Sequence, residues 1–105
     1  MSKHTPGPWV VGPVDDCVVT HMGSDGVRYT VAEIDGDYSQ PDTWPIMEAN
    51  ARLIAAAPDL LNECKKQVDW LRHIKPQITG PSSVMLGVEQ SITYIAAAIA
   101  KAEGQ

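Results

Sequence analysis

A proline inside an alanine-rich stretch limits how the second half of this chain can fold. The stretch reads "ANARLIAAAPDLL" at residues 49–61 and has a helical composition up to Pro58. Proline lacks the N–H that a helix interior needs, but it is tolerated in the first turn, where that N–H has no partner. Asp59 then places a carboxylate at the positive end of the helix dipole. We predict two helices that meet at Pro58, with one kinked helix as the alternative.

Helical patterns surround this break, and the predicted helix-proline-helix segment covers residues 43–75. Asp42 or Thr43 is the expected cap, and Pro45 falls in the first turn. The side chains predicted to face inward in the first of these helices are Ile46, Ala49 or Asn50, Leu53, Ile54 and Ala57.

A last helix is predicted over residues 82–103, after Pro76, Gly80 and Pro81. Its apolar residues are spaced alternately by three and four, which is typical of a narrow packing seam: Met85, Val88, Ile92, Ile95 and Ile99. This seam fits either the preceding helix of the same chain or the same helix of another subunit.

The first part of the chain has the character of a sheet. Pro6 and Pro8 favour an extended lead-in over residues 1–8. Residues 9–34 then contain three β-prone runs, "WVVGPV", "CVVTHM" and "VRYTVAEI", and "GSDG" between the last two is typical of a hairpin. We predict an antiparallel three-stranded meander, followed by a polar loop of about nine residues.

Length and composition are those of one compact domain over residues 1–105. The chain is 44% hydrophobic and 20% charged, which is ordinary for a folded protein and argues against global disorder. The predicted fold class is α+β, with the N-terminal meander packed against two or three C-terminal helices.

No run approaches the roughly 18 to 20 uninterrupted apolar residues that span a bilayer, and the N-terminus lacks a signal-peptide core. A cytoplasmic protein without a membrane partner is expected. Cys17 and Cys64 show no CxxC pairing, which favours two free thiols over a disulfide or a zinc site.

Charge is distributed unevenly around a net value of −5. Through residue 60 there are nine acidic residues against three basic ones, whereas the remainder is slightly basic. The acidic residues of the first part are Asp15, Asp16, Asp25, Glu33, Asp35, Asp37, Asp42, Glu48 and Asp59. Such a balance opposes direct DNA binding and suits contact with a basic protein surface.

No catalytic constellation emerges from the sequence. Glycine-rich phosphate loops are absent, and a Cys17 and His21 pair on one strand lacks an orienting third group. Paired carboxylates at Asp15 and Asp16, or at Asp35 and Asp37, read as solvated turns rather than metal sites. We therefore predict a protein without enzymatic activity, metal or cofactor.

A small-ligand pocket is compatible with the sequence. The candidate residues are Trp9, Arg28, Trp44, Asn50 and Arg52, with Tyr29 or Tyr38 as further aromatic groups. Aromatic rings stack on bases, and guanidinium groups bind phosphates in a bidentate geometry. The alternative for Arg52 is structural, an ion pair with Glu48 or Asp59.

Two motifs, "HTPGPW" at residues 4–9 and "ANARLIAAAPDLL" at residues 49–61, resemble a group of small bacteriophage and prophage proteins. The resemblance implies a viral accessory protein that works in the bacterial host cytoplasm, and it carries over no catalytic residue. Accessory proteins of this kind often act against host immunity.

Two binding mechanisms follow from that resemblance. In the first, a homo-oligomer sequesters a cyclic nucleotide or related immune signal with arginines and aromatic rings. In the second, the acidic half covers a nucleic-acid-binding surface of a host defence or regulatory protein. An uncharacterised structural role and a hydrolase are the remaining alternatives.

Overall fold

The computed structural model describes residues 4–13, 15–36 and 39–104. Its elements are β1 (Val10–Val11), β2 (Val18–Met22), β3 (Arg28–Glu33), α1 (Trp44–Ala55), α2 (Ala57–Ile74) and α3 (Ser82–Ala102), with 3₁₀ turns at Pro41–Thr43 and Lys75–Gln77. The strands form one antiparallel sheet in the order β1-β2-β3. The predicted α+β fold, a three-stranded N-terminal meander followed by helices, is confirmed.

A β-bulge interrupts the pairing of β2 with β3. Val19 lies opposite Ala32, but the next residue, Thr20, lies opposite Thr30, so one residue of β3 is left over between these pairs. A bulge exchanges the two faces of the strand on which it occurs. Strict alternation along "VRYTVAEI" therefore does not describe β3.

The turn between β2 and β3 follows from its glycines and its aspartate. The Gly26 N–H donates to the Gly23 carbonyl at 3.0 Å, and the Gly23 N–H donates to the Val27 carbonyl at 2.8 Å. Gly26 has φ of 79°, which glycine adopts without a steric penalty. Asp25 Oδ1 accepts from the Val27 N–H at 2.9 Å, as expected of an aspartate in a turn.

Helix α1 lies against all three strands and forms the core with β2. Met47 and Ala51 are buried on α1, and Cys17 and Val19 are buried in the sheet. A Cβ at Gly36 would lie 2.5 Å from the Met47 sulfur, so the chain after β3 also packs closely on this helix.

The predicted inward face of α1 is wrong. Ile46 is 62% exposed and Leu53 is 65% exposed, and of the predicted face Ile54 is half-buried. The buried residues are instead Met47 and Ala51, which directly follow Ile46 and Asn50 in the sequence. Both stripes are apolar at helical spacing, so periodicity does not separate them. Alanine at position 51 allows the helix backbone to approach the sheet closely, and the larger side chains remain outside.

Two helices meet near Pro58, as predicted. Helix α1 ends at Ala55, α2 begins at Ala57, and Pro58 is the second residue of α2. Proline cannot donate to the carbonyl of Ile54 four residues before it. The Ala56 N–H instead donates to the carbonyls of Arg52 and Ile54, which satisfies the last turn of α1.

The contacts divide the chain into two compact units, residues 1–59 and residues 60–105. In the second unit, α2 and α3 are antiparallel and joined by two ion pairs, Lys65 with Glu103 at 3.0 Å and Lys75 with Glu89 at 3.3 Å. The α3 seam residues predicted from their spacing are all half-buried. This arrangement favours packing of the seam within the chain, and the single-domain organisation stays a prediction.

Helix α3 meets the length and composition of a membrane-spanning helix. Over its most apolar 18 residues the mean hydropathy is 1.3, and none of that window is buried. Serine, threonine and glutamine residues separate its apolar residues, so the sequence shows no uninterrupted apolar run there. Length and composition alone assign no membrane, and the cytoplasmic localisation stays a prediction.

Candidate functional site

The first motif forms a local structure around Trp9. The Trp9 indole N–H donates to the Thr5 carbonyl at 3.2 Å, and the His4 ring meets the indole edge-on with centroids 6.2 Å apart. His21 Nδ1 lies 3.3 Å from the Pro8 carbonyl oxygen, which ties the motif to β2. Trp9 is thus a half-buried anchor. Of the extended lead-in predicted over residues 1–8, residues 1–3 lie outside the described residues, and residues 4–8 bend at His4 and Gly7.

The two motifs that carry the phage resemblance meet in the folded chain. A Cβ at Gly7 would lie 2.8 Å from the Cβ of Pro58, so glycine is required for the backbone to approach the proline ring. Pro58 is buried. Pro58, in the motif at residues 49–61, therefore has two roles: it lies in the first turn of α2, and it provides the surface against which Gly7 of the motif at residues 4–9 packs.

Arg28 extends from β3 and is held by the sheet. Its Nη1 donates to Thr20 Oγ1 at 3.0 Å, and the Thr20 hydroxyl donates to the Gly12 carbonyl at 2.8 Å. Thr20 is 6% exposed, so this hydrogen bond fixes the guanidinium against a buried group. Arg28 itself is exposed, which leaves its other N–H groups available to a ligand.

The remaining predicted ligand residues belong to α1 and are exposed. Trp44 is its first residue and is 46% exposed. Asn50 and Arg52 are two residues apart, or about 200° around the helix, and so extend from nearly opposite sides. No ion pair to Arg52, including the expected ones to Glu48 or Asp59, is formed within the described part of the chain.

The described contacts do not join the five predicted residues into one pocket. Trp9 is bound to Thr5 in the segment before β1, Arg28 is bound to Thr20 in the sheet, and Asn50 and Arg52 diverge on α1. Tyr38 and Asp37 lie outside the described residues. The ligand site at Trp9, Arg28, Trp44, Asn50 and Arg52 stays a prediction.

An apolar ridge on the outside of α1 was missed as a surface. Ile46, Asn50 and Leu53 follow one another at spacings of four and three, so they share one exposed face of the helix. The sequence contained part of this signal, because Ile46 and Leu53 stand out as large apolar residues, whereas Asn50 between them is polar. Their assignment to the core concealed it.

The ridge lies in a unit whose described acidic residues form no ion pair with another described residue. All three ion pairs between described residues belong to residues 60–105. In the first unit the described acidic residues are exposed, apart from the half-buried Glu48. Exposed carboxylates that outnumber the basic residues of a surface give it a negative potential.

Neither described cysteine presents an activated nucleophile with a base. Burial, together with the carboxylates of Asp15, Glu48 and Asp16, raises the pKa of the Cys17 thiol. A raised pKa keeps the group as the unreactive thiol at neutral pH. Among the described residues, no group of three or more histidine, cysteine, aspartate or glutamate side chains is placed to hold a metal ion.

These features describe a small α+β protein whose first unit carries exposed acidic residues and presents two exposed apolar side chains, Ile46 and Leu53, on the outside of α1. The comparisons with known proteins then give its family. The model of the family described as Salmonella phage P22 protein Y8K6 matches residues 1–105, so the chain belongs to this phage protein family. No curated protein and no solved structure matches the chain. The phage origin inferred from the two motifs is confirmed, while the part played by the motifs stays a prediction.

Proposed function

We propose that this phage protein is a non-enzymatic accessory protein that counteracts host defence by binding a basic, nucleic-acid-binding host protein. The observation that supports this function is the outer ridge of α1, formed by Ile46, Asn50 and Leu53. Ile46 and Leu53 are more than half exposed although similar side chains usually enter the core. A helix face of this kind fits a groove on a partner protein.

The charges around the ridge determine which partner fits. Protein interfaces combine a desolvated apolar centre with a polar rim, and the rim sets the association rate and excludes wrong partners. Here Asp42 lies at the start of the α1 region, and the same unit carries exposed acidic residues without ion pairs within the described residues. A partner with a positive rim, such as a nucleic-acid-binding surface, is therefore complementary.

Host proteins retained on heparin provide the test. A tagged form of the protein is mixed with this fraction, and the captured proteins are measured at about 0.1 M and about 1 M salt, with and without duplex DNA. We expect capture of a basic protein at low salt, release at high salt, and competition by DNA. The purified partner should also lose DNA binding when this protein is added.

Matched variants assign the capture to the ridge. The double change Ile46→Glu and Leu53→Glu should abolish it, since two carboxylates would be buried in the interface. Val84→Glu with Leu86→Glu adds the same charge to α3, where the original side chains are 46% and 54% exposed, and should leave capture intact. Equal capture by wild type and the α1 double variant would exclude this interface.

Sequestration of a nucleotide-type immune signal is the second candidate, and Arg28 is the observation that favours it. Its guanidinium is oriented by the 3.0 Å hydrogen bond to Thr20, so less conformational entropy is lost when a phosphate binds. Trp9 lies just before β1, and the same threonine hydroxyl contacts the carbonyl of Val10 in β1 at 3.5 Å and donates to that of Gly12 just after it at 2.8 Å. A homo-oligomer in the bacterial cytoplasm belongs to this proposal.

Cyclic di- and trinucleotides test this second candidate by thermal shift, light scattering and recovery of the ligand. Sequestration requires a raised melting temperature, an oligomeric mass, and intact nucleotide after denaturation. Arg28→Gln should remove the shift, whereas Arg28→Lys should retain part of it because the charge remains. Indifference to every nucleotide would eliminate sequestration, and conversion of the nucleotide would instead indicate a hydrolase.

A further inference from the structure

A groove with a volume of about 300 Å³ runs between α2 and α3, entirely within residues 60–105. Its size is at the lower end of the range for sites that bind small molecules. Six residues line it: Lys65, Val68, Asp69 and Arg72 from α2, and Ala96 and Ile99 from α3. It shares no residue with the sites considered above.

The floor of the groove is apolar. Val68 is 3% exposed, and Ala96 and Ile99 are half-buried on the facing helix. Ala96 contributes a single methyl group where larger side chains occupy neighbouring seam positions, so the space above it stays open. An apolar chain placed there would lose contact with water along its length.

The charges of the groove balance, and only some of them are paired. Lys65 Nζ lies 3.0 Å from Glu103 Oε2, so the charge of this lysine is paired. Arg72 and Asp69, three residues apart on α2, form no ion pair within the described part of the chain. Arg72 can bind one anionic group bidentately, whereas Asp69 repels a polyanion such as a nucleotide phosphate chain.

We propose that this groove binds a small monocarboxylate with an unbranched apolar chain. The carboxylate lies on the Arg72 guanidinium, and the chain covers Val68, Ala96 and Ile99. A single negative charge complements Arg72, the cation of the groove that forms no ion pair among the described residues, and the apolar floor favours a chain over a hydrated ion. This site is independent of the function proposed above.

Octanoate, held below its micelle concentration, is the probe, and ¹H–¹⁵N spectra of the whole protein report where and how tightly it binds. Acetate lacks the chain and octanol lacks the charge, so both should bind more weakly than octanoate. Arg72→Gln should weaken octanoate binding roughly tenfold, as for loss of a charged hydrogen bond. Ala96→Leu should abolish it by filling the groove.

Two control variants separate the groove from a general effect of substitution. Lys66→Gln removes an exposed charge from α2, and Ala97→Leu adds the same side chain one position beyond Ala96 on the exposed side of α3. Both should bind octanoate as wild type does. The proposal is overturned if millimolar octanoate shifts no groove resonance, if octanol binds equally well, or if folded Arg72→Gln and Ala96→Leu variants retain full affinity.

Discussion

At the scale of single residues, the two cysteines differ in their surroundings. Cys17 is 6% exposed and its N–H is bound by Asp15 Oδ1 at 2.8 Å, whereas Cys64 is half-buried on α2. Burial raises the pKa of the Cys17 thiol, and the nearby carboxylates raise it further. We predict that Cys17 reacts with an aromatic disulfide reagent at pH 8 more slowly than Cys64, by roughly an order of magnitude or more.

Absorbance of the released thiolate gives both rates, and single variants assign them. Cys64→Ser should remove the fast phase and Cys17→Ser the slow one. In denaturant the two thiols should react alike. A fast Cys17 in the native protein would mean that the core around Val19 opens readily.

The hydrogen bond from Tyr29 to Asp25 makes the stability of the hairpin depend on pH. The Tyr29 hydroxyl donates to Asp25 Oδ2 at 2.6 Å, which lowers the pKa of Asp25 and raises the pKa of Tyr29. This hydrogen bond therefore contributes fully to the stability of the protein at pH values between the ordinary carboxyl and phenol pKa values, about 4 and about 10. It is lost as pH falls through the lowered Asp25 pKa, or rises through the raised Tyr29 pKa.

Thermal unfolding of wild type and Tyr29→Phe across this pH range measures the effect. The difference in melting temperature should be constant from about pH 5 to pH 9 and should shrink at both extremes. Because both side chains are exposed, we expect a small difference. A difference that is unchanged at pH 2 would show that the hydrogen bond does not carry it.

At the scale of elements, close approach of α1 to the sheet depends on Ala51. This residue is 0% exposed, whereas Ala49 is exposed on the same helix. Ala51→Leu should destabilise the protein by about 1–3 kcal/mol through overpacking. Ala49→Leu should change the free energy of unfolding by less than about 0.5 kcal/mol. Chemical denaturation of both variants tests this, and equal effects would contradict the observed face.

Two glycines, one in the segment before β1 and one in α3, should respond to substitution by alanine in opposite directions. A Cβ at Gly7 would lie 2.8 Å from Pro58 Cβ, whereas nothing lies within 4 Å of a Cβ at Gly87 on α3. Gly7→Ala should therefore cost about 1–3 kcal/mol. Gly87→Ala should stabilise the protein by up to about 1 kcal/mol because alanine favours the helix. Melting curves distinguish the two, and a destabilising Gly87→Ala would reveal a packed α3 face.

The elements themselves were predictable because their signals are local. The "GSDG" turn and the position of Pro58 fix a hairpin and a helix start through backbone constraints that act within a few residues. The bulge opposite Thr20 and the inward face of α1 depend on contacts between elements. Two apolar stripes at equal spacing give the same periodicity, so the sequence leaves the choice open.

At the scale of the whole molecule, the uneven charge was readable from the sequence, but the candidate surface was not. Counting residues reveals an acidic first part, and the structure adds that its described acidic groups form no ion pairs. The outer ridge at Ile46 and Leu53 and the groove over Ala96 depend on how the helices pack, which residue counts do not reveal. Residues chosen singly for their chemistry and distant in sequence, such as Trp9 and Arg52, do not indicate whether their side chains meet in the fold.

Burial is uneven as well, and it predicts how stability varies along the chain. Four of the buried apolar side chains, Cys17, Val19, Met47 and Ala51, lie in residues 1–59, whereas α3 has no buried residue. Amides exchange slowly where opening exposes a packed core and quickly where little is buried. Hydrogen exchange followed by mass spectrometry should therefore find β2 the slowest segment and α3 the fastest of the three helices.

If the amides of α3 exchange slowly, hydrogen exchange measured at several protein concentrations distinguishes two explanations. A second copy that covers the helix would increase its protection as concentration rises, because association follows mass action. Protection of α3 that equals that of β2 at every concentration would instead contradict the burial argument, and a single cooperative unit would then account for the exchange. Fast exchange in α3 with slow exchange in β2 would show that most of the free energy of folding resides in the sheet and α1.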